Sequence, residues 1–215
     1  MKGPRRHLPW ALAVIAAIAP RAGATNNYRL MNGGFEDGPT QGQDDVHGPQ
    51  WVTPHWLVVN FGADQRVEVQ VERSSPLAGS AALRLVIQPS AMGPALVEIR
   101  QRVFNLALFP RDLHAEAAVR ASAPGIVSLV LDEGMRRTES ALNARRAEWD
   151  ILQNQMPLRA NRIKYTVILV IRPPPEGAVV DFDGVRAWSP ERERIDGWLQ
   201  RIYRRLRRLV LFSSS

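Results

Sequence analysis

The 215-residue sequence contains no cysteine, four histidines and two lysines. The lack of cysteine excludes disulfides, zinc–cysteine sites and cysteine nucleophiles. Four histidines leave little material for a multi-histidine metal centre. No segment has the roughly 18 to 20 consecutive apolar residues that a membrane-spanning helix needs. What is present, 45% hydrophobic and 23% charged residues, is typical of a folded globular protein.

The formal net charge of +7 lies at the two ends of the chain. Residues 1–24 carry four basic side chains and no acid, and the residues from Pro190 onward carry seven arginines against three acids. The body between them is therefore close to neutral, at a net charge of −1. A nucleic-acid-binding domain normally has its basic patch on the folded body, so this distribution argues against nucleic acid as a partner.

The first 24 residues have the pattern of a secretory signal peptide. A short basic segment precedes an apolar run at residues 10–19, and Ala22 and Ala24 supply the small residues that a signal peptidase reads. We predict cleavage before Thr25 and export of the mature chain to the periplasm or the extracellular space.

The body, residues 25–189, reads as short strands separated by turn residues. Val67, Val69 and Val71 alternate with polar residues, which indicates a strand with one buried face. Further strands are predicted at residues 83–87, 96–104, 113–121, 126–131, 148–152, 164–171 and 179–188. Eight or nine strands without crossover helices predict an all-β, antiparallel β-sandwich of the jelly-roll kind. Residues 136–146 are consistent with either a short helix or a long exposed loop.

Residues 190–215 show a different pattern, that of a basic amphipathic helix. Ile195, Trp198, Leu199 and Ile202 recur at spacings of three and four, and arginines occupy the opposite face. Two interpretations stay open. The apolar face packs on the sandwich, or the helix contacts an anionic membrane surface or a protein.

Four short motifs lie along the body in a recognisable order. They are NGGFE at residues 32–36, GSAAL at 79–83, AVRA at 118–121 and VDFDGV at 180–185. In this order the chain resembles the carbohydrate-binding modules of families four and nine, which are jelly rolls of the galactose-binding-domain-like type. The resemblance covers about residues 28–188.

The resemblance implies one structural calcium ion that joins the first and last strands of the domain. Carried over to this sequence, its ligands are Glu36, Asp183 and the carbonyl of Gly34. Calcium prefers carboxylate and carbonyl oxygens, and glycine lets the backbone come close to the ion. The alternative is that Glu36 and Asp183 are turn and capping residues.

The resemblance also implies a glycan site of aromatic rings and polar side chains on one sheet face. In family members the strand that here follows Pro94 often begins with a tryptophan, and this chain has Ala95 and Leu96 in that region. Glu98 and Arg100 share one face of a strand and are candidates to hydrogen-bond sugar hydroxyls. Trp149 is the candidate stacking platform, and the two arginines that precede it favour an acidic glycan. Trp51 and Trp56 are expected in the core or at its rim.

These observations predict an exported, non-catalytic protein that binds a polysaccharide or glycan on a sheet face. One alternative is a non-catalytic envelope or assembly protein that binds a protein or membrane surface. A less favoured alternative is a jelly-roll glycoside hydrolase, for which Asp44, Asp45 and His47 form a compact polar group. The usual motifs of serine hydrolases and zinc peptidases are absent from the sequence.

Overall fold

The computed structural model describes residues 30–36, 48–53, 55–62, 64–90, 96–104, 111–158 and 164–189. The predicted signal peptide and C-terminal helix lie outside these residues, as do Asp44, Asp45 and His47. Within the described residues no helix is long and apolar enough to cross a membrane.

The described part of the chain forms eleven β-strands. They are β1 Gly48–Trp51, β2 Leu57–Asn60, β3 Val67–Glu72, β4 Ala82–Ile87, β5 Val97–Phe104, β6 Arg111–Ala121, β7 Val127–Asp132, β8 Arg137–Glu139, β9 Asp150–Leu158, β10 Lys164–Ile171 and β11 Ala178–Trp188. All pairings are antiparallel. The prediction of an all-β body is confirmed, and the eight strands expected from the alternation coincide with β3–β7 and β9–β11.

The strands form two sheets. The six-stranded sheet has the order β1-β2-β5-β10-β7-β8, and the five-stranded sheet has the order β3-β4-β11-β6-β9. From β3 onward the chain changes sheet at most connections, so strands that are neighbours in a sheet are distant in sequence. The sheet pairing therefore depends on long-range contacts.

The core lies between the two sheets. Val97 and Ile99 of β5 and Val167, Leu169 and Ile171 of β10 are buried together from the six-stranded sheet. Their alternate neighbours form the outer face, because successive side chains of a strand point to opposite sides. The five-stranded sheet contributes a matching inner set from β3, β4, β6, β9 and β11.

The segment at 136–146 is not a helix: it is strand β8 followed by a mostly exposed loop, which agrees in part with the second structure left open. Its first part is β8, which pairs with β7 in a hairpin. Its second part is held by buried Asn143, whose side-chain oxygen accepts hydrogen bonds from the backbone N–H groups of Ile126 and Val127 at 3.0 and 2.8 Å. The backbone of this segment is thus satisfied by β7 rather than by helical bonds.

Trp56 is fully buried, as expected, whereas Trp51 is 61% exposed. The indole N–H of Trp56 donates to the carbonyls of Met31 and Asn32 at 3.2 and 3.1 Å, and its ring packs on Phe35. Trp56 therefore holds the NGGFE motif against the core. Trp51 lies on β1, at the edge of the six-stranded sheet.

Candidate functional site

The outer face of the six-stranded sheet carries most of the side chains that a ligand on this sheet would meet. Its composition follows from the strand register. One row across the sheet consists of Trp51, Leu57, Arg100, Ile168, Val130 and Glu139. The next row consists of Val59, Glu98, Val170 and Ser128. The centre is apolar and buried, and the charged and aromatic side chains surround it.

Glu98 and Arg100 lie side by side on this outer face. The guanidinium of Arg100 donates to the carboxylate of Glu98 through two of its nitrogens. Glu98 is almost fully buried, and Arg137 from β8 approaches its other oxygen at 3.9 Å. A buried carboxylate needs such partners, because an unpaired one is strongly destabilising. The pair therefore presents a rigid, oriented guanidinium at the sheet surface.

Two exposed aromatic rings flank Arg100. Trp51 shares its row, two strands away across Leu57. Phe61, which is 55% exposed, directly follows β2, and its N–H donates to the carbonyl of Leu96 at 3.0 Å. The Arg100 guanidinium lies over the Phe61 ring, 5.6 Å from its centroid. Phe61 thus provides an exposed aromatic ring beside Leu96 and Arg100.

The sequence reasoning missed Phe61 because it did not identify β2. That strand has four residues and is almost fully buried, so it lacks a readable polar–apolar alternation. The sequence does contain a weak indication of this strand. Two β-branched residues, Val58 and Val59, and the aromatic Phe61 flank Asn60 in a short run that ends at Gly62.

A second group on the outer face is centred on Glu139 of β8. The hydroxyl of Ser128 donates to its carboxylate at 2.5 Å, and Arg172 donates to the same oxygen at 2.6 Å. Arg172 also donates to the Ser128 hydroxyl at 3.0 Å. The Ser128 hydrogen bond, followed by the charge of Arg172, lowers the pKa of Glu139. Glu139 is therefore ionised and fixes Arg172 on this face.

Trp149 is not part of this face, so the predicted grouping of Trp149 with Glu98 and Arg100 is wrong. Trp149 immediately precedes β9, which is the edge strand of the five-stranded sheet. Arg120 of β6 covers its ring at 4.8 Å from the centroid. The sequence pattern predicts a strand at residues 148–152. It does not indicate to which sheet β9 belongs.

The outer face of the five-stranded sheet has its own charged cluster around Asp181. This buried carboxylate accepts hydrogen bonds from Arg84 at 2.7 and 3.1 Å and from Arg120 at 2.8 and 2.7 Å. Arg84 also pairs with Glu72. The hydrogen bond to Asp181 raises the pKa of Arg84, since it favours the charged guanidinium. The network ties β4, β6 and β11 together.

Glu36 and Asp183, the carboxylates expected to share an ion, both accept hydrogen bonds from the same short loop before β4. Glu36 accepts from the N–H of Ser80 at 3.0 Å and from its hydroxyl at 2.5 Å. Asp183 accepts from the N–H of Ala78 at 2.8 Å. A side-chain carbon built on Gly34 would lie 3.8 Å from Glu36 Oε1 and 3.9 Å from Asp183 Oδ1, so Gly34 is next to both.

The chemistry of this group suits a hard cation. Neither Glu36 nor Asp183 forms an ion pair with a described arginine or lysine, and each retains lone pairs on its oxygens. Hydrogen bonds from the Ser80 hydroxyl and N–H lower the pKa of Glu36, which keeps it ionised. No group of three or more acidic or histidine side chains suited to a metal is found among the described residues. Backbone carbonyls would have to complete any ligand set.

No family model and no curated protein matches the sequence. Similar solved structures include TmCBM61 in complex with β-1,4-galactotriose, at 15% identity and a TM-score of 0.49, covering 77% of this chain and 99% of that one. The CBM22-1 xylan-binding domain from Paenibacillus barcinonensis Xyn10C matches at 14% identity and a TM-score of 0.42, covering 69% and 92%. The enzymatically active domain of tailspike protein 4 from bacteriophage CBA120 matches at 10% identity and a TM-score of 0.48, covering 63% and 19%. At these identities the matches assign neither a ligand nor a site to this chain.

Proposed function

We propose that this chain is an exported, non-catalytic carbohydrate-binding protein of jelly-roll architecture. We place its glycan site on the outer face of the six-stranded sheet, around Arg100, Glu98, Phe61 and Trp51. The proposal modifies the site expected from the sequence, because Trp149 is replaced by the two aromatic rings of this face. Export rests on the signal-peptide pattern and is tested by whether the mature protein begins at Thr25.

The observation that carries the proposal is the combination of two exposed rings with a fixed guanidinium on one sheet face. Sugar rings have apolar faces that stack on aromatic side chains and hydroxyls that hydrogen-bond to polar groups. Arg100 is oriented by Glu98 beneath it and by Phe61 beside it, so little side-chain entropy is lost when a ligand binds. Trp51 is far more exposed than a core tryptophan, as a stacking surface requires.

Binding to immobilised polysaccharides and to a glycan array tests this proposal. We expect Phe61→Ala and Arg100→Ala each to weaken binding at least tenfold, since each removes a direct contact worth about 1.5 kcal/mol or more. Trp149→Ala is the matched control, because it removes a larger ring from the other sheet, and it should bind like the wild type. Loss of binding in Trp149→Ala but not in Phe61→Ala would contradict the proposed site.

The same assay separates the alternative functions. Wild-type protein that shortens the bound polysaccharide would support the glycoside hydrolase, and the reaction products would show it. Wild-type protein that binds no glycan would remove the carbohydrate-binding function and favour an envelope or assembly role.

We also propose that Glu36, Asp183 and the Gly34 carbonyl hold a structural calcium ion. The ion would crosslink the NGGFE motif to β11 and would not touch the glycan. We expect a chelator to lower the melting temperature of wild-type protein but not of Glu36→Gln. Glu68→Gln is a control on an exposed side of β3 and should keep the chelator response. An unchanged melting temperature together with no calcium in elemental analysis would refute this proposal.

A further inference from the structure

The two outer faces of the sandwich carry opposite net charge. On the six-stranded sheet the described outer side chains include five basic residues and three acids, a net charge of +2. The basic residues are Arg100, Arg102, Arg137, Lys164 and Arg172, and the acids are Glu98, Asp132 and Glu139. On the five-stranded sheet the corresponding count is three basic residues and six acids, a net charge of −3. Those residues are Arg84, Arg120 and Arg186 against Glu68, Glu72, Asp112, Glu116, Asp181 and Asp183.

This segregation is not visible in the composition, because the body of the chain is nearly neutral overall. An anionic ligand approaching the sandwich would be attracted by one face and repelled by the other. The attractive face is the one that carries the proposed glycan site.

Three of the five basic side chains on this face are already in contact with carboxylates. Arg100 and Arg137 contact Glu98, and Arg172 contacts Glu139. Their guanidiniums are held in place by these two acids, and together the three arginines and two acids keep one positive charge.

Arg102 and Lys164 differ from these three arginines in their surroundings. Both are exposed, and neither forms an ion pair or side-chain hydrogen bond with another described residue. They therefore keep their full charge and most of their hydration, and an incoming anion would not have to displace an existing partner.

The register places Arg102 and Lys164 next to each other. Arg102 of β5 pairs with Thr166 of β10, and Lys164 lies two residues from Thr166 on the same face. Such diagonal neighbours on adjacent strands are about 7–8 Å apart at their backbones, within reach of two long side chains. Both cations can therefore contact one carboxylate, beside the Thr166 hydroxyl.

We propose that the glycan bound by this face is anionic and that a carboxylate of a uronic acid unit binds between Arg102 and Lys164. Arginine and lysine both form charge-assisted hydrogen bonds to carboxylates, and arginine does so in a bidentate geometry. Arg102 lies one row from Arg100 and Lys164 lies in the row beyond, so the bound carboxylate would be on the same face as the Arg100 guanidinium. This inference rests on the proposed glycan-binding function and assigns recognition of an acidic glycan to Arg102 and Lys164 instead of the two arginines before Trp149.

The test compares polygalacturonate and alginate with their esterified, uncharged forms, using the full chain and affinity electrophoresis or calorimetry. Ester and acid share one backbone, so their difference isolates the carboxylate. We expect at least tenfold tighter binding of a polyuronate than of its ester, decreasing as salt is raised. Dextran sulfate is included to distinguish sulfate from carboxylate recognition.

The decisive variant is Arg102→Gln/Lys164→Gln, which should lose the preference for the acid while keeping binding to the ester. Its melting temperature should stay within about 2 °C of wild type, because both side chains are exposed and unpaired among the described residues. The matched control is Arg145→Gln/Arg146→Gln, which removes two exposed positive charges near Trp149 and should keep the preference. Both variants retain the basic ends of the chain.

Equal affinity for acid and ester would overturn this inference and leave the proposed function intact. Equal losses in both double variants, or tight dextran sulfate binding that persists in Arg102→Gln/Lys164→Gln, would indicate non-specific attraction by the basic chain and would also overturn it. The absence of binding to any glycan, charged or neutral, would refute the proposed function itself.

Discussion

Replacing Asp181 by Asn should be among the most destabilising single changes of a polar residue in this protein. Asp181 is 2% exposed and accepts four hydrogen bonds from Arg84 and Arg120. Asparagine has nearly the same shape, but it has no charge and points an amide N–H₂ group toward the two guanidiniums. Arg120 would then lose its carboxylate partner among the described residues, and Arg84 would keep only its pair with Glu72.

The size of the effect follows from the burial of the pair. Removing one partner of a buried ion pair costs about 3–5 kcal/mol, because the other charge is left uncompensated. The side chains of Arg84 and Arg120 are 29% and 18% exposed, so water relieves part of the cost and we expect roughly 3 kcal/mol. That is a large share of a typical free energy of unfolding of about 5–15 kcal/mol. For a domain of this size it corresponds to a decrease in melting temperature of roughly 6–12 °C.

Urea unfolding followed by tryptophan fluorescence measures this loss. Glu116→Gln is the control, since it breaks another ion pair on the same outer face, between Glu116 and Arg186 at 2.6 Å. Arg186 is 67% exposed, so this change should cost less than about 1 kcal/mol. If Asp181→Asn and Glu116→Gln had equal effects, burial would not be what gives the Asp181 cluster its energy, and our reasoning would be refuted.

Three further predictions concern the core, a close backbone approach and acid stability. Trp56→Phe removes the indole donor to the Met31 and Asn32 carbonyls and should lower the free energy of unfolding by about 2–3 kcal/mol. Trp51→Phe changes an exposed ring and should alter the free energy of unfolding by less than about 0.5 kcal/mol. Similar values for both variants would contradict the burial of Trp56. Gly33→Ala would place a carbon 1.9 Å from the Val185 carbonyl oxygen, on a backbone held by the Val185 N–H bond to Gly33, and should cost more than about 2 kcal/mol. In the neighbouring Gly34→Ala the added carbon would lie 3.8 Å from its nearest atoms, so this change should cost clearly less. If urea unfolding showed Gly34→Ala to be the more destabilising change, Gly33 would not lie as close to the Val185 carbonyl as described. The lowered pKa of Glu139 means that its ionised form stabilises the fold above its ordinary pKa of 4.5, and that this contribution is lost as the pH falls through the lowered value. Glu139→Gln should therefore be less stable than wild type near neutral pH and should lose less stability on acidification; parallel stability curves from about pH 3 to 6 would exclude this role.

The strands could be predicted from the sequence where apolar and polar residues alternate clearly. In β3 the valines at 67 and 69 are buried and Gln70 is exposed, as period-two patterning requires. The strands β1, β2 and β8 were missed because each has four residues or fewer and shows no clear alternation. Most strand ends agree within two residues, since Gly, Pro, Asn, Asp and Ser mark the turns, but β9 was predicted to end at residue 152 and continues to Leu158.

The candidate site residues, like the strands, could be predicted from the sequence only in part. The placement of Glu98 and Arg100 on one face could be read from their spacing of two residues in β5. The approach of Glu36 to Asp183 was expected from the order of the motifs in a known family, and the structure brings both to the loop at Ala78 and Ser80. Whether an ion lies there stays a prediction. The sequence did not identify Phe61, Arg102 or Lys164 as site residues, because their role depends on which strands lie beside theirs in the sheet.

What the sequence determined by itself is the alternation of each strand, and hence which side chains enter the core and which face outward. A period of two is a local property of the backbone, set by neighbouring residues. What the tertiary structure alone decided is the sheet to which each strand belongs. That choice placed Trp149 with Arg120 on the five-stranded sheet and Arg102 beside Lys164 on the other. Strand pairing is set by contacts between residues far apart in the chain and by the fit of two whole sheets around one core, and no local pattern encodes it.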